Sequence, residues 1–219
     1  MSTIIDNNIN ESVEQKRWED YDTILCPDGQ VIDMQKLLDD QEKAKAALTH
    51  IQPFFGEFIG KLRPVYTFRI QTQATDGKNL LINPQFTSNL DLTEKVFVLA
   101  HEIMHCVLNH MRRARHLGLS ADKANVAADY ECNITLSKER DCMGLISIGV
   151  MNKMKAFVDK KYIGWGFEKI YNDCKDSYNE TQENKSGQQS EPAQQKADAD
   201  YIKGWNQAIE DYKNGKLKL

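Results

Sequence analysis

The sequence predicts an α+β fold, because stretches with apolar residues at helical spacing flank a short region whose residues alternate like strands. The chain has 219 residues, of which 41% are hydrophobic and 27% are charged. This composition can form a core, but a mean hydropathy of −0.59 is too polar for the whole chain to pack. We therefore expect one core domain with solvated segments beside it.

Composition and charge exclude several classes of protein. The longest apolar stretch, 96–100, has five residues, whereas a span of the bilayer needs about 18. The N-terminus lacks the basic and apolar regions of a secretory signal. Five cysteines without a CxxC pair argue against a disulfide framework and a cysteine-rich zinc module. The net charge of −4 gives no reason to expect nucleic-acid binding. We expect a cytoplasmic protein with neither a membrane nor a nucleic acid as partner.

The first half of the chain predicts N-terminal helices and a small sheet. Residues 1–33 are polar and form an N-terminal extension, and good helix formers with apolar residues at helical spacing occupy 34–50. Pro53 interrupts the helical pattern, and a second short amphipathic helix follows. The alternating run 65–71 and a second run ending at Pro84 flank the turn signal at 76–77, which predicts a β-hairpin in a small antiparallel sheet.

Two long helices are expected next. Asp91 and Glu94 have the spacing of a capping box, so the first helix should begin at about 92. It should run unbroken to about 116, before Gly118, because no glycine or proline interrupts it. Ser120 then caps a second helix to about 136. A mixed, loop-like region follows, and a short helix is expected at about 167–174.

The end of the chain has a different composition. Residues 175–200 contain no Val, Ile, Leu or Phe, which predicts a disordered polar linker. Aromatic and apolar residues recur every three or four positions in 201–219, which predicts a small amphipathic helix that a protein partner could bind. The core domain is therefore expected at 34–174.

One motif carries chemistry by itself, the HExxH sequence at 101–105. On a helix His101 and His105 lie about 40° apart, so both imidazoles can bind one zinc ion. Glu102 lies about 100° from His101, where its carboxylate can take a proton from a water held by the metal. The apolar residues of the helix cluster on the other side, so the motif faces a cleft. The sequence predicts a catalytic zinc site with Glu102 as its base.

A catalytic zinc needs a third protein ligand. Asp129 is the favoured candidate, because it lies on the next helix with Asn125 and Asn133 one turn before and after it. Glu131 is an alternative, but it lies about 200° from Asp129, so the two cannot both face the metal.

His110 is the other alternative for the third ligand. On an unbroken helix it lies about 140° from His105, within the apolar face. That position favours a buried, hydrogen-bonded histidine, and the sequence leaves the question open.

A family resemblance extends from about Lys43 to Cys174. It rests on five segments: KAKAALTHIQPFFG, TDGKNLLINPQF, VLAHEIMHCVLNHMRR, NVAADYECN and DKKYIGWGFEKIYN. In these the chain resembles the metallopeptidase domain of bacterial predicted metal-dependent peptidases, which usually precedes a VWA-like domain. The resemblance implies zinc binding by His101 and His105, a catalytic Glu102 and the helix of Asp129 beside them. The family also carries the histidine at position 110.

The resemblance implies a zincin-like architecture and a zinc metallopeptidase. An extended peptide or protein substrate would pair with an exposed edge strand from the hairpin at 65–84, above the HExxH helix. Two alternatives remain: a metal-stabilised binding or assembly module, and a zinc hydrolase of a non-peptide bond. The presence of Glu102 disfavours the first, because a structural site has no need of that carboxylate. Nothing in the sequence excludes the second.

Overall fold

The computed structural model describes residues 21–138 and 143–174. The predicted linker at 175–200 and the predicted helix at 201–219 lie outside the described residues. The described part of the chain contains eight α-helices and two small sheets. The predicted α+β class is confirmed.

A short antiparallel hairpin precedes the first helix. It consists of β1 (Thr23–Leu25) and β2 (Val31–Asp33), which place Ile24 opposite Ile32, and both isoleucines are buried in the main core. No strand was predicted here, because strands of three residues are too short to show an alternating pattern.

Two helices follow, as predicted. The helix α1 (Met34–Ile51) begins where the Asp33 side chain accepts a hydrogen bond from the Lys36 amide, and α2 is Pro53–Ile59. Proline suits the first turn of a helix because that turn leaves its N–H groups unpaired, so Pro53 ends one helix and begins the next.

The second sheet is mixed, which corrects the predicted antiparallel sheet. Its strands are β3 (Arg63–Tyr66), β4 (Gln73–Thr75) and β5 (Asn79–Ile82), in the order β3-β5-β4. The hairpin around Gly77 joins β4 to β5, whereas β3 pairs with β5 in parallel. The run 65–71 was the wrong first strand, because a tight turn pairs the residues that directly flank it, and those are 73–75.

The predicted helix at 92–116 is broken in two. After α3 (Pro84–Ser88), α4 (Leu92–Val107) begins at the capping box of Asp91 and Glu94, which is confirmed with both of its hydrogen bonds. The prediction of an unbroken helix was wrong. Asn109 has a φ of 57° and a ψ of 34°, and α5 (His110–His116) begins after it. Asparagine tolerates this left-handed conformation better than most residues, so it ends a helix as glycine does.

The remaining helices complete the fold. The predicted helix from Ser120 is confirmed as α6 (Ala121–Leu136). The loop-like region contains α7 (Ile148–Lys153), which the sequence analysis missed and which Ser147 caps. A 3-10 turn (Lys160–Tyr162) leads to α8 at 167–174, as predicted.

The helix α4 lies at the centre of the molecule. It packs against α1, α2, α6, α7 and strand β4. Its apolar face is buried in the main core through Val96, Leu99, Ala100 and Ile103. A second cluster joins α6 to the region of Tyr162, Phe167 and Ile170. Among the described helices, none is long and apolar enough to cross a membrane.

Candidate metal centre

The two histidines of the HExxH motif lie side by side on α4. Because they are one helical turn apart, their Nε2 atoms approach to 2.9 Å, and the two rings meet nearly edge to face. Their side chains are mostly buried but remain 14% and 12% exposed. The pair therefore presents two imidazole nitrogens to one point that solvent can reach.

The carboxylate of Asp129 reaches the same point from α6. Its Oδ1 atom lies 3.4 Å from Nε2 of His101 and 3.2 Å from Nε2 of His105. In a tetrahedral zinc site with bonds of about 2.0–2.2 Å, neighbouring ligand atoms lie about 3.3–3.6 Å apart. The two distances to Asp129 are close to this spacing, and the distance between the two Nε2 atoms is shorter. His101, His105 and Asp129, here called the triad, are two imidazoles and a carboxylate, a donor set that fits zinc.

The asparagines beside Asp129 orient the triad, as the polar stripe on α6 predicted. Oδ1 of Asn133 lies 2.8 Å from Nδ1 of His101, and the Asn133 amide nitrogen donates to the Phe157 carbonyl at 3.0 Å. An amide oxygen only accepts, so Nδ1 of His101 carries a proton. Its Nε2 atom faces His105 and Asp129. Asn125 lies 3.4 Å from Oδ2 of Asp129, which leaves Oδ1 for the histidines.

The two histidines and the carboxylate of the triad shift one another's pKa values. Burial acts to lower the pKa of His101, but the hydrogen bond and charge of Asp129 outweigh it and raise that pKa to about 9. Burial lowers the pKa of His105 to about 4, and the charge on His101 adds to this effect. Burial acts to raise the pKa of Asp129, but its hydrogen bonds to both histidines hold it well below its usual range. The carboxylate is therefore ionised and able to bind a cation.

Glu102 lies next to the triad in a buried position, where its side chain is shielded from water between α4 and β4. Burial raises the pKa of Glu102 to about 7, and the charge of Asp129 adds to that effect. The charge of His101 and a hydrogen bond from the Thr75 backbone amide act in the opposite direction. A carboxyl group with this pKa can both accept and release a proton near neutral pH.

The two alternative third ligands bond to each other instead of joining the triad. Nε2 of His110 lies 2.6 Å from Oε2 of Glu131, and Nδ1 of His110 lies 3.2 Å from Nδ1 of His105. His110 therefore meets His105 on the side of the ring away from Asp129. The prediction of a buried, hydrogen-bonded His110 is confirmed, but the break at Asn109 places it there rather than a continuous apolar face.

Cys132 is a further potential ligand that the sequence analysis missed. One ligand atom each from His101, His105 and Cys132 lies within 4.8 Å of the others, and Cys132 follows Asp129 by one turn of α6. That spacing is the signal that could have revealed it. Burial raises the pKa of this thiol well above its usual range, so Cys132 is a neutral thiol whereas Asp129 is an anion. The negative charge of Asp129, 3.2 and 3.4 Å from the two histidines, favours it as the third ligand.

The mixed sheet has two edge strands, β3 and β4. Strand β4 packs against α4, all three of its residues are buried, and its Thr75 hydroxyl lies 3.5 Å from the Cys106 sulfur of α4. Strand β3 is more open, because Arg63 and Pro64 are exposed. Pairing of a substrate with an edge strand of the 65–84 region stays a prediction.

The chain belongs to a family described as "Putative metallopeptidase domain", whose family model matches residues 37–218. The match contains the HExxH motif and Asp129, and it extends beyond both ends of the resemblance seen in the sequence. No curated protein and no solved structure is significantly similar to the chain. Membership of this family suggests that the protein is a metal-dependent hydrolase. The donor set of the triad is consistent with a metal ion as cofactor.

Proposed function

We propose that the protein is a zinc-dependent metallopeptidase with a zincin-like site, in which His101, His105 and Asp129 hold zinc and Glu102 is the catalytic base. The observation that carries this proposal is the triangle of donor atoms, with edges of 2.9, 3.2 and 3.4 Å, beside a buried carboxylate. Family membership supports the peptide bond as the substrate class.

The residues of the site divide the chemistry between them. When bound, zinc supplies a Lewis acid that polarises the scissile carbonyl and makes a bound water more acidic. Glu102 takes the proton of the attacking water and returns it to the leaving amine, a double role that its near-neutral pKa permits. The Thr75 backbone amide acts to lower the pKa of Glu102 and so favours its ionised form. Asn133 and Asn125 hold His101 and Asp129 in the orientation the metal needs.

The partial exposure of the triad sets where a substrate would enter. The side chains of His101, His105 and Asp129 keep between 12% and 15% of their surface exposed, whereas Glu102 is buried. A substrate carbonyl would approach the proposed metal from this open side. We infer that groups around the open side contact the substrate.

Cleavage of a peptide library tests the proposal. The zinc-loaded wild type should cleave peptides, and Glu102→Gln should retain zinc and fold but lose cleavage, because the amide keeps the shape of the base and loses its function. Glu57→Gln, the same change at an exposed position on α2, is the matched control and should cleave like the wild type. Cleavage by Glu102→Gln at the wild-type rate would overturn the mechanism, and a zinc-loaded wild type that cleaves no peptide would overturn the substrate class.

A further inference from the structure

We propose that His110 is a positioning residue for the metal centre: it accepts a hydrogen bond from His105 and keeps the Nε2 atom of His105 directed at the metal, with Glu131 and Arg113 fixing its orientation. The inference rests on the proposed metal site. It assigns a role to a buried polar chain that the proposed mechanism does not otherwise use.

The chain of contacts is continuous from the triad to the surface. Nδ1 of His105 lies 3.2 Å from Nδ1 of His110, and Nε2 of His110 lies 2.6 Å from Oε2 of Glu131. Arg113 donates to the same Glu131 oxygen at 3.2 Å. It also donates twice to Glu168 of α8, at 2.8 and 2.6 Å. Each contact lies within hydrogen-bonding distance.

The ion pair of Arg113 and Glu131 sets the direction of the hydrogen bonds in this series of contacts. A guanidinium group only donates, and the carboxylate of Glu131 paired with it accepts. His110 therefore donates from Nε2 to Glu131, and in its neutral form it has only Nδ1 left as an acceptor. The proton between the two Nδ1 atoms then belongs to His105. With its proton on Nδ1, neutral His105 has its lone pair on Nε2, the atom that faces Asp129.

The local backbone and the neighbouring rings hold His110 beside His105. An unbroken helix would put it about 140° away from His105, but the left-handed turn at Asn109 brings the rings to 5.2 Å between centroids. The ring of Phe167 packs against His110, also at 5.2 Å, and the Arg113 guanidinium lies over the same phenylalanine. His110 is only 3% exposed. Its freedom to rotate is therefore small.

The arrangement gives each metal-facing histidine its own support. His101 donates to an amide oxygen, that of Asn133, whereas His105 donates to an imidazole backed by a carboxylate. Partners of this kind fix the ring orientation of a ligand histidine and increase its basicity. The contacts to Glu168 also tie the support of His105 to α8.

Zinc affinity measured by competition with a chelator tests this role. His110→Ala should bind one zinc at saturation with an affinity about 10–100-fold lower than that of the wild type, as expected for loss of an outer partner of a ligand. His116→Ala, an exposed histidine on the same helix, is the matched control and should keep the wild-type affinity. The absorption spectrum of the cobalt-loaded protein should change in His110→Ala and not in His116→Ala, because cobalt reports the geometry of its ligands.

A purely structural role gives a different pattern. It would lower the urea midpoint of His110→Ala without zinc and leave its zinc affinity and cobalt spectrum unchanged, which would overturn the proposal. If His110→Ala does not fold, Glu131→Gln decides, since it keeps the volume and removes the charge: about tenfold weaker zinc binding supports the proposal, and wild-type binding overturns it. Wild-type protein that binds no zinc would instead overturn the proposed function.

Discussion

At the scale of single residues, burial distinguishes the proposed base from the proposed carboxylate ligand. Glu102 is 4% exposed and has a raised pKa, whereas Asp129 is ionised beside two histidines and keeps an open side. Two neighbouring carboxyl groups thus have pKa values shifted in opposite directions, because Glu102 is desolvated without a strong partner and Asp129 bonds to two histidines. This division is what a hydrolase needs: one group that exchanges a proton and one that stays an anion.

The asparagines of α6 allow a matched comparison at this scale. Asn133→Ala removes the acceptor of His101 and should weaken zinc binding about 10–100-fold, because a ligand histidine loses the partner that orients it. Asn125→Ala removes a longer contact, 3.4 Å from Asp129, and should have a clearly smaller effect. Isothermal titration with zinc measures both. Equal affinities for wild type and Asn133→Ala would contradict the orienting role.

The identity of the third ligand is also a prediction about one residue. In a zinc-bound crystal structure an Asp129 oxygen should lie about 2.0–2.2 Å from the metal. His110 should remain hydrogen-bonded behind His105. A structure with a His110 nitrogen on the metal and Asp129 turned away would refute this assignment and the positioning role of His110 together.

At the scale of elements, the end of α4 determines where His110 lies relative to His105. The helix α4 ends at Val107, and the left-handed residue Asn109, directly before His110, separates it from α5. Asparagine is tolerated there because its penalty in this conformation is small for an L-residue.

Substitution of Asn109 tests this account of the helix end. Asn109→Ala should lower the free energy of unfolding by about 1 kcal/mol, because alanine is strained at positive φ. Asn109→Gly, which adopts this conformation freely, is the control and should be at least as stable as the wild type. Urea unfolding measures both variants. A fully stable Asn109→Ala would show that the break does not depend on this residue.

The capping box at the start of α4 makes a second prediction about an element. Asp91→Ala should lower the free energy of unfolding by about 1 kcal/mol at pH 7, whereas Asp91→Asn, which can still cap, should lose less. The Glu94 amide, the Thr93 hydroxyl and Lys153 hold the pKa of Asp91 well below its usual range. A lowered pKa contributes stability above the unfolded value of about 3.9 and loses it as the pH falls. The difference between wild type and Asp91→Ala should therefore shrink below about pH 4 in urea unfolding, and a difference that grows there would contradict it.

Much of the fold and site could be predicted where the signal is local. The capping box at Asp91 and the period-four stripe through Asp129 are each written within a few residues, and the structure places both as expected. The break at Asn109 was missed because asparagine is a weaker signal than glycine. The strand order of the second sheet and the burial of β4 depend on packing against α4, which no single segment encodes. The partnership of His110 with Glu131 joins residues 21 positions apart and requires the helix break first.

At the scale of the whole molecule, the triad joins two helices that also meet by packing and by the contact between His101 and Asn133. His101 and His105 belong to α4 at the centre of the core, and Asp129 belongs to α6. A metal held by all three binds the folded chain and not the unfolded one. Zinc at about 100 times its dissociation constant should therefore raise the free energy of unfolding by about 2.7 kcal/mol. Urea unfolding with and without zinc measures the change, and Asp129→Ala should show a much smaller one at the same zinc concentration.

The zinc content of the purified protein after dialysis tests the central claim most directly. The wild type should hold about one zinc per chain, His101→Ala and His105→Ala should hold none in stoichiometric amount, and Asp129→Ala should bind much more weakly, because two remaining ligands make a weak site. His116→Ala, whose side chain is exposed on α5, should match the wild type. Full zinc occupancy in both His101→Ala and His105→Ala would contradict the account.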